Sequence, residues 1–197
     1  MDKIPTKDRI LDSALTLFAE KGFDGVGVDL IAEKAGIKGP SLYKHFKSKE
    51  DILDAIIEKA EKYYKENFGS CSDPGETPDS MDDLIAMSHK RIEFTLQDPF
   101  IRKIRRILMM EQFRNDRIAK LATIYNMGIV RGIHHKYFQE MMDKGIMRSG
   151  DPSLVSLAFI APVSLLIQMC DREPERFGEA VERIDEYFRF FAEEWKK

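Results

Sequence analysis

Five lysines, Lys34, Lys38, Lys44, Lys47 and Lys49, fall in one stretch that holds no acid, although the whole chain carries a net charge of −3. Between them stand Ser41, Tyr43 and His45, with Gly36, Gly39 and Pro40 as backbone-shaping residues in the same few turns. Ammonium groups at this density neutralise phosphates, and each nearby carboxylate would oppose them. Hydroxyl, phenol and imidazole groups reach phosphate oxygens or base edges. The chemistry is recognition of a polyanion, with double-stranded DNA as the partner. A solvated basic face has the same composition, so what decides is where the lysines sit on the fold.

Their position follows from helical periodicity, which runs along nearly the whole chain without a period-two alternation. Ile10, Ala14, Leu17 and Phe18 form one face of a first helix, which Gly22 can end with a positive φ. A second helix covers about Asp29 to Ala35, Gly36 makes a tight turn, and Pro40 starts a short third helix that ends near Phe46. Ser48 and Asp51 then form a capping box that opens a fourth helix. Ala32 is small enough for a close helix crossing, and Ile31, Ala35, Ile37 and Leu42 are the apolar positions that hold helices two and three together. These are the dimensions of a helix-turn-helix, with the acid-free lysines on and around its second helix.

The segment "GVGVDLIAEKAGIKGPSLYKHFKSKEDIL" resembles the DNA-binding segment of the TetR family of bacterial transcriptional repressors. That pattern is close to T-x-x-x-I-A-x-x-A-G-V-x-x-x-x-[ST]-L-Y-x-[HY]-F-x-[SN]-K-E-x-L, and the likeness spans about Arg9 to Leu53. The resemblance implies that Ser41, Tyr43, His45 and Lys49 contact the operator, and that Pro40 and Lys44 lie among the variable readers. It also implies that Lys49 anchors a phosphate at the start of the fourth helix. Lys38, at the head of the reading helix, completes the set. Two positions depart from the family: Val28 stands where a threonine is usual, and Lys38 where a serine usually caps the third helix.

Beyond this segment the chain continues as helices separated by turn-rich residues 69–80, by Asp98-Pro99, by Gly145 and by Asp151-Pro152. A single long helix is expected from about Asn115 to Lys144, and Pro162 should kink the apolar helix that follows Asp151. The fold class is therefore all-α, about nine helices. A helix-turn-helix DNA-binding domain spans residues 1–48, and a helical effector-binding and dimerisation domain spans residues 49–197.

In the last helix Phe177, Val181, Ile184, Phe188, Phe191 and Trp195 follow a heptad spacing. The stripe suits either a homodimer interface, as the resemblance implies for the last two helices, or the chain's own core. Inducibility, also implied by the resemblance, asks for an effector site. Phe94, Phe100, Ile104, Leu108, Tyr125 and Phe159 are available to line it, with Gln112, Arg131 and His134 as polar groups on otherwise apolar helices. These residue types suit an apolar or aromatic small molecule, and serve equally well as core.

No nucleophile motif, phosphate-binding glycine loop or H-E-x-x-H stands in the sequence, so neither an enzyme, a metal site nor a cofactor is expected. Cys71 and Cys170 suit free thiols of a reducing cytoplasm. The run Leu154 to Cys170, broken by serines, a proline and a glutamine, is expected to be a buried helix rather than a membrane span.

Overall fold

A computed structural model describes residues 4–69 and 75–197, with the backbone alone at Phe68, Asn126 and Met127. Residues 70–74 of the expected turn-rich stretch, Cys71 among them, lie outside the described residues. Among the described residues there is no strand. The helices are α1 (Thr6–Lys21), α2 (Val28–Lys34), α3 (Gly39–Leu42), α4 (Lys49–Phe68), α5 (Met81–Gln97), α6 (Pro99–Glu111), α7 (Asp116–Thr123), α8 (Ile129–Asp143), α9 (Pro152–Arg172) and α10 (Phe177–Trp195). Their signals are mostly local. Ser80 accepts from the Asp83 amide at 3.0 Å to start α5, and Asp151 accepts from the Ser153 amide at 2.8 Å to start α9.

The long helix expected between Asn115 and Lys144 is interrupted. Ile124–Gly128 forms a wide π turn, in which the Ile129 amide reaches back five residues to the Ile124 carbonyl, and this separates α7 from α8.

The chain divides into two compact units, Met1–Asn67 with Pro99–Ala119, and Phe68–Asp98 with Lys120–Lys197. In the first, α1 packs on α2 and α6 through buried Ile10, Ala14, Leu17, Ile101 and Ile104. The backbone of Phe23, in the turn after α1, is held on both sides of its Cα. Its N–H donates to Glu111 Oε1 at 2.8 Å, and its carbonyl accepts from Lys49 Nζ at 2.8 Å, with that ammonium 4.2 Å from the Phe23 ring centroid. Glu111 is only 2% exposed. Gly22 leaves room for this contact: its φ of 76° and ψ of 163° suit glycine alone, and a Cβ there would stand 2.8 Å from Glu111 Oε1.

In the second unit α8, α9 and α10 surround an aromatic core. Phe159 stacks on Phe188 at 5.2 Å and meets Phe191 edge-on at 4.7 Å, while Phe138 stacks on Phe191 at 5.7 Å. Pro162 has no N–H to give to the carbonyl four residues earlier, that of Ala158. The Tyr187 hydroxyl of α10 donates to that carbonyl instead. Burial pushes the Tyr187 phenol up to about 12, so it remains a donor at any ordinary pH.

His134 is 4% exposed, among the rings of Tyr137, Phe138 and Phe159. Its Nδ1–H donates to the Val130 carbonyl at 2.8 Å, and its buried Nε2 has no hydrogen-bond partner. Burial lowers its pKa to about 4; the Val130 bond works against this shift and the Arg91 charge adds to it.

Two outcomes follow from this packing. Gly22→Ala should destabilise the first unit by about 1–3 kcal/mol, because it forces a β-carbon into a glycine-only conformation and against a buried carboxylate; denaturant unfolding measures it. His134 binds its proton more readily unfolded than folded, so stability should be unaffected above pH 6.5. It should then fall as pH drops toward 4, with a slope approaching about 1.4 kcal/mol per pH unit. His134→Gln should remove that component from melts recorded across pH.

Candidate nucleic-acid interface

The reading element is built by backbone geometry before any side chain matters. α2 ends at Ala35, and Gly36 takes a φ of 66°. The Gly36 amide donates to the Glu33 carbonyl and the Ile37 amide to the Ala32 carbonyl, both at 3.0 Å, which is a Schellman ending. Arg9 of α1 fastens this ending by donating from Nη1 to the Ala35 carbonyl at 3.0 Å. Ile31, Ala32, Ala35 and Leu42 are buried, with Phe46, while Ile37, expected among them, is half-buried.

The third helix is shorter than expected. Regular α-helix covers Gly39–Leu42 and gives way to a turn at residues 43–45, although the Phe46 amide still bonds the Leu42 carbonyl at 3.1 Å. No side chain caps its start: Lys38 occupies the cap position with its side chain exposed, and its carbonyl accepts from the Ser41 amide at 2.9 Å.

With Leu42 and Phe46 turned inward, the intervening residues face out. Tyr43 is 56% exposed, Lys38, Pro40, Lys44, His45 and Lys47 are exposed, and Ser41 is half-buried. Lys49 is different. It is half-buried, and its ammonium already serves the Phe23 carbonyl and ring, so it positions the start of α4 and keeps only its remaining N–H groups for a phosphate. Ser48 caps α4 by accepting from the Asp51 amide at 3.1 Å, and Asp51 answers by accepting from the Lys47 amide at 3.0 Å.

The residues expected at an effector site are divided between the two units. Phe100, Ile104, Leu108 and Gln112 belong to the first, where Ile104 and Leu108 are buried and Phe100 meets Tyr63 edge-on at 5.4 Å. The Gln112 side chain returns to its own helix, donating to the Met109 carbonyl at 3.2 Å. Phe94, Tyr125, Arg131, His134 and Phe159 belong to the second. There Phe159 and His134 form core, Phe94 and Tyr125 are half-buried, and Arg131 is exposed on α8.

The heptad stripe of α10 divides too. Ile184, Phe188 and Phe191 are buried inside the chain's own second unit, because α9 and α5 pack on that face. Phe177 is exposed, and Val181 and Trp195 are half-buried. The uncovered apolar face lies elsewhere. On α9, Leu154 and Leu165 are each 65% exposed with Ala158 and Ala161 exposed between them, and on α10 Phe190 is 62% exposed. α9 is long and apolar enough to pass for a membrane span by composition, with 33% of that window buried. It is therefore far less covered than a core helix.

Spacing on α10 could not reveal this, because a single stripe does not say which neighbour covers it. Leu154, Ala158, Ala161 and Leu165, at spacings of four, three and four, were the available signal. Sequence reading also missed Arg9 and Glu111, a buried acid at the end of an otherwise basic and apolar helix.

Residues 10–56 match the family model of bacterial regulatory proteins, tetR family. Among characterised relatives, the IcaR negative transcriptional regulator of the biofilm operon icaADBC from Staphylococcus epidermidis is 45% identical over 58 residues. That match covers 29% of this chain and 31% of IcaR, so the chain spans under a third of that relative's length. The fold extends further. SmeT, the repressor of the multidrug efflux pump SmeDEF of Stenotrophomonas maltophilia, superposes over 98% of this chain and 92% of its own at a TM-score of 0.73 and 21% identity. A chain classed with the TetR-family regulators from Mesorhizobium loti superposes over 98% and 97% at 0.73 and 20%. At these identities the likeness carries the fold alone. Residues 10–56 thus carry the DNA-binding segment of the TetR family, on an all-α fold shared nearly from end to end with these solved structures.

Proposed function

We propose that the chain is a transcriptional repressor that binds a palindromic operator as a homodimer and is released by a small-molecule effector. One observation carries the reading. Lys38, Ser41, Tyr43, Lys44 and His45, from a stretch that contains no acid, stand on and around the second helix of a helix-turn-helix. The helix-turn-helix segment through Ser48 reads DNA, and the remainder dimerises and responds to the effector. The relatives support the sign of the effect: IcaR is a negative regulator and SmeT a repressor. SmeT has also been solved with triclosan, an aromatic molecule, which supports an effector of apolar or aromatic character here. The reading places the protein in the cytoplasm with its DNA.

A reading helix this short contacts few base pairs, whereas a two-fold dimer reads two half-sites about 34 Å or a multiple apart. The exposed stripe of α9 with Phe190 of α10 supplies an apolar surface of the kind a second copy would cover. An effector that binds better to a conformation with a different spacing of the two reading helices lowers operator affinity by that differential affinity. A dimer without a small-molecule effector is the second reading. A metabolite and drug library that gives no thermal stabilisation would favour it.

Two measurements check the proposal. Tyr43→Ala combined with Lys44→Ala should weaken binding to the palindrome upstream of the protein's own gene by about tenfold or more, and reduce the salt slope by about one. Unchanged affinity in fluorescence anisotropy removes this surface from the DNA contact. Leu165→Glu should shift the protein from dimer to monomer in sedimentation and abolish tight operator binding, while the far-ultraviolet spectrum stays unaltered because Leu165 is exposed in the single chain.

A further inference from the structure

Within the second unit, α5 and α10 leave an open groove of about 440 Å³, large enough for a compact organic molecule. Its lining is apolar, formed by Ile92 and Leu96 of α5 with Val181 and Ile184 of α10, and Phe177 offers an exposed ring at one side. The polar lining is acidic. Glu93 and Asp185 contribute carboxylates, Gln97 an amide, and neither a lysine nor an arginine lines the groove. His89 lies 3.2 Å from Asp185 through Nδ1 and is fixed edge-on to the buried Phe188 ring at 5.2 Å. With His89 neutral the lining carries two negative charges and with His89 protonated it carries one, so it is anionic in either state.

We propose that this groove binds an organic cation with an apolar, aromatic body. The hydrocarbon lining and the Phe177 ring take the body, which gains by leaving water. The cationic centre lies against Glu93, whose carboxylate has no ion-pair partner among the described residues, and against the outer side of Asp185. An anion of the same shape meets the same apolar lining and is repelled by the same carboxylates, so charge decides between ligands that shape does not separate. The groove lies wholly within one unit and needs neither a metal nor a second chain to be complete. Its consequence for DNA rests on the effector-responsive reading above; the binding itself does not.

Tetraphenylphosphonium and tetraphenylborate, two ions of one shape and opposite charge, are the probes, titrated by calorimetry into the full-length protein without DNA. The cation should bind and the borate should bind at least tenfold more weakly. Glu93→Gln, which leaves the His89–Asp185 contact in place, should weaken the cation several-fold. Adding Asp185→Asn should weaken it by tenfold or more, and Glu193→Gln, exposed on α10 outside the groove, should change nothing. Equal binding of the two ions, no binding of the cation, or undiminished binding by the double variant overturns the proposal. A double variant that sediments differently from the parent would mean that a second copy covers the groove, which also overturns it. In a parallel anisotropy arm, a cation that binds the groove without releasing operator leaves the groove standing and defeats the effector reading instead.

Discussion

The Phe23 residue is gripped by opposite charges: a buried carboxylate takes its N–H and an ammonium takes its carbonyl and stacks on its ring. Three elements meet there, because Glu111 ends α6, Lys49 begins α4 and Phe23 lies in the turn that aims α2. A peptide group removed from water without partners costs about 1–3 kcal/mol, and a carboxylate more. Satisfying both backbone groups of one residue therefore ties the three elements to a single geometry. Lys49 follows the reading segment by only a few residues, so the grip that fixes α4 also fixes where Tyr43 and Lys44 emerge. Thr16 and Lys103 reinforce the same arrangement by joining α1 to α6 at 2.9 Å.

The second unit is held by a different kind of constraint, polar backbone and ring groups enclosed among apolar helices. Pro162 frees a carbonyl in α9, and Tyr187 accepts the task of satisfying it from α10, which fixes the register of the two helices. Tyr137 is buried with its hydroxyl accepting from Arg91 at 3.0 Å, which ties α8 to α5. His134 is the uncompensated member: its ring packs well, but Nε2 remains a bare acceptor in an apolar surround. Holding it neutral is what the fold can do with an imidazole at that position, at a cost that appears only in acid.

How much of this was legible follows from the range of each interaction. The helix-turn-helix could be read residue by residue because its signals are local: Gly36 for the turn, Leu42 and Phe46 for the inward face, Ser48 with Asp51 for the next cap. The same holds for the starts of α5 and α9. The π turn at Ile124–Gly128 left no such mark, since it keeps the chain winding and shifts the register by one residue. The α10 stripe was visible but its neighbour was not. Phe188 and Phe191 find Phe159 on α9, a whole helix earlier in the chain, and a periodicity carries no information about that distance. The assignment of Ile104 and His134 to different units was not legible for the same reason: apolar type does not say to which of two cores a residue belongs.

The balance of charge around the reading surface is better explained by what the nearest acids are already doing than by the composition of the chain. Past Lys49 come Glu50, Asp51 and Asp54, enough carboxylate to offset several lysines if all of it faced a phosphate backbone. Asp51 is turned back to accept from the Lys47 amide, in effect an N-terminal cap. Asp54 is paired with Arg117 of α7, and that carboxylate raises the guanidinium's pKa by its hydrogen bond. Asp51 lies, with Glu50, in the first turn of α4, where the helix dipole favours negative charge. Asp51 and Asp54 are thus engaged by the chain around the start of the helix that follows the lysine stretch. An overall acidic protein can in this way present a basic surface over one short segment, because charge that is hydrogen-bonded and turned aside contributes little repulsion at the groove.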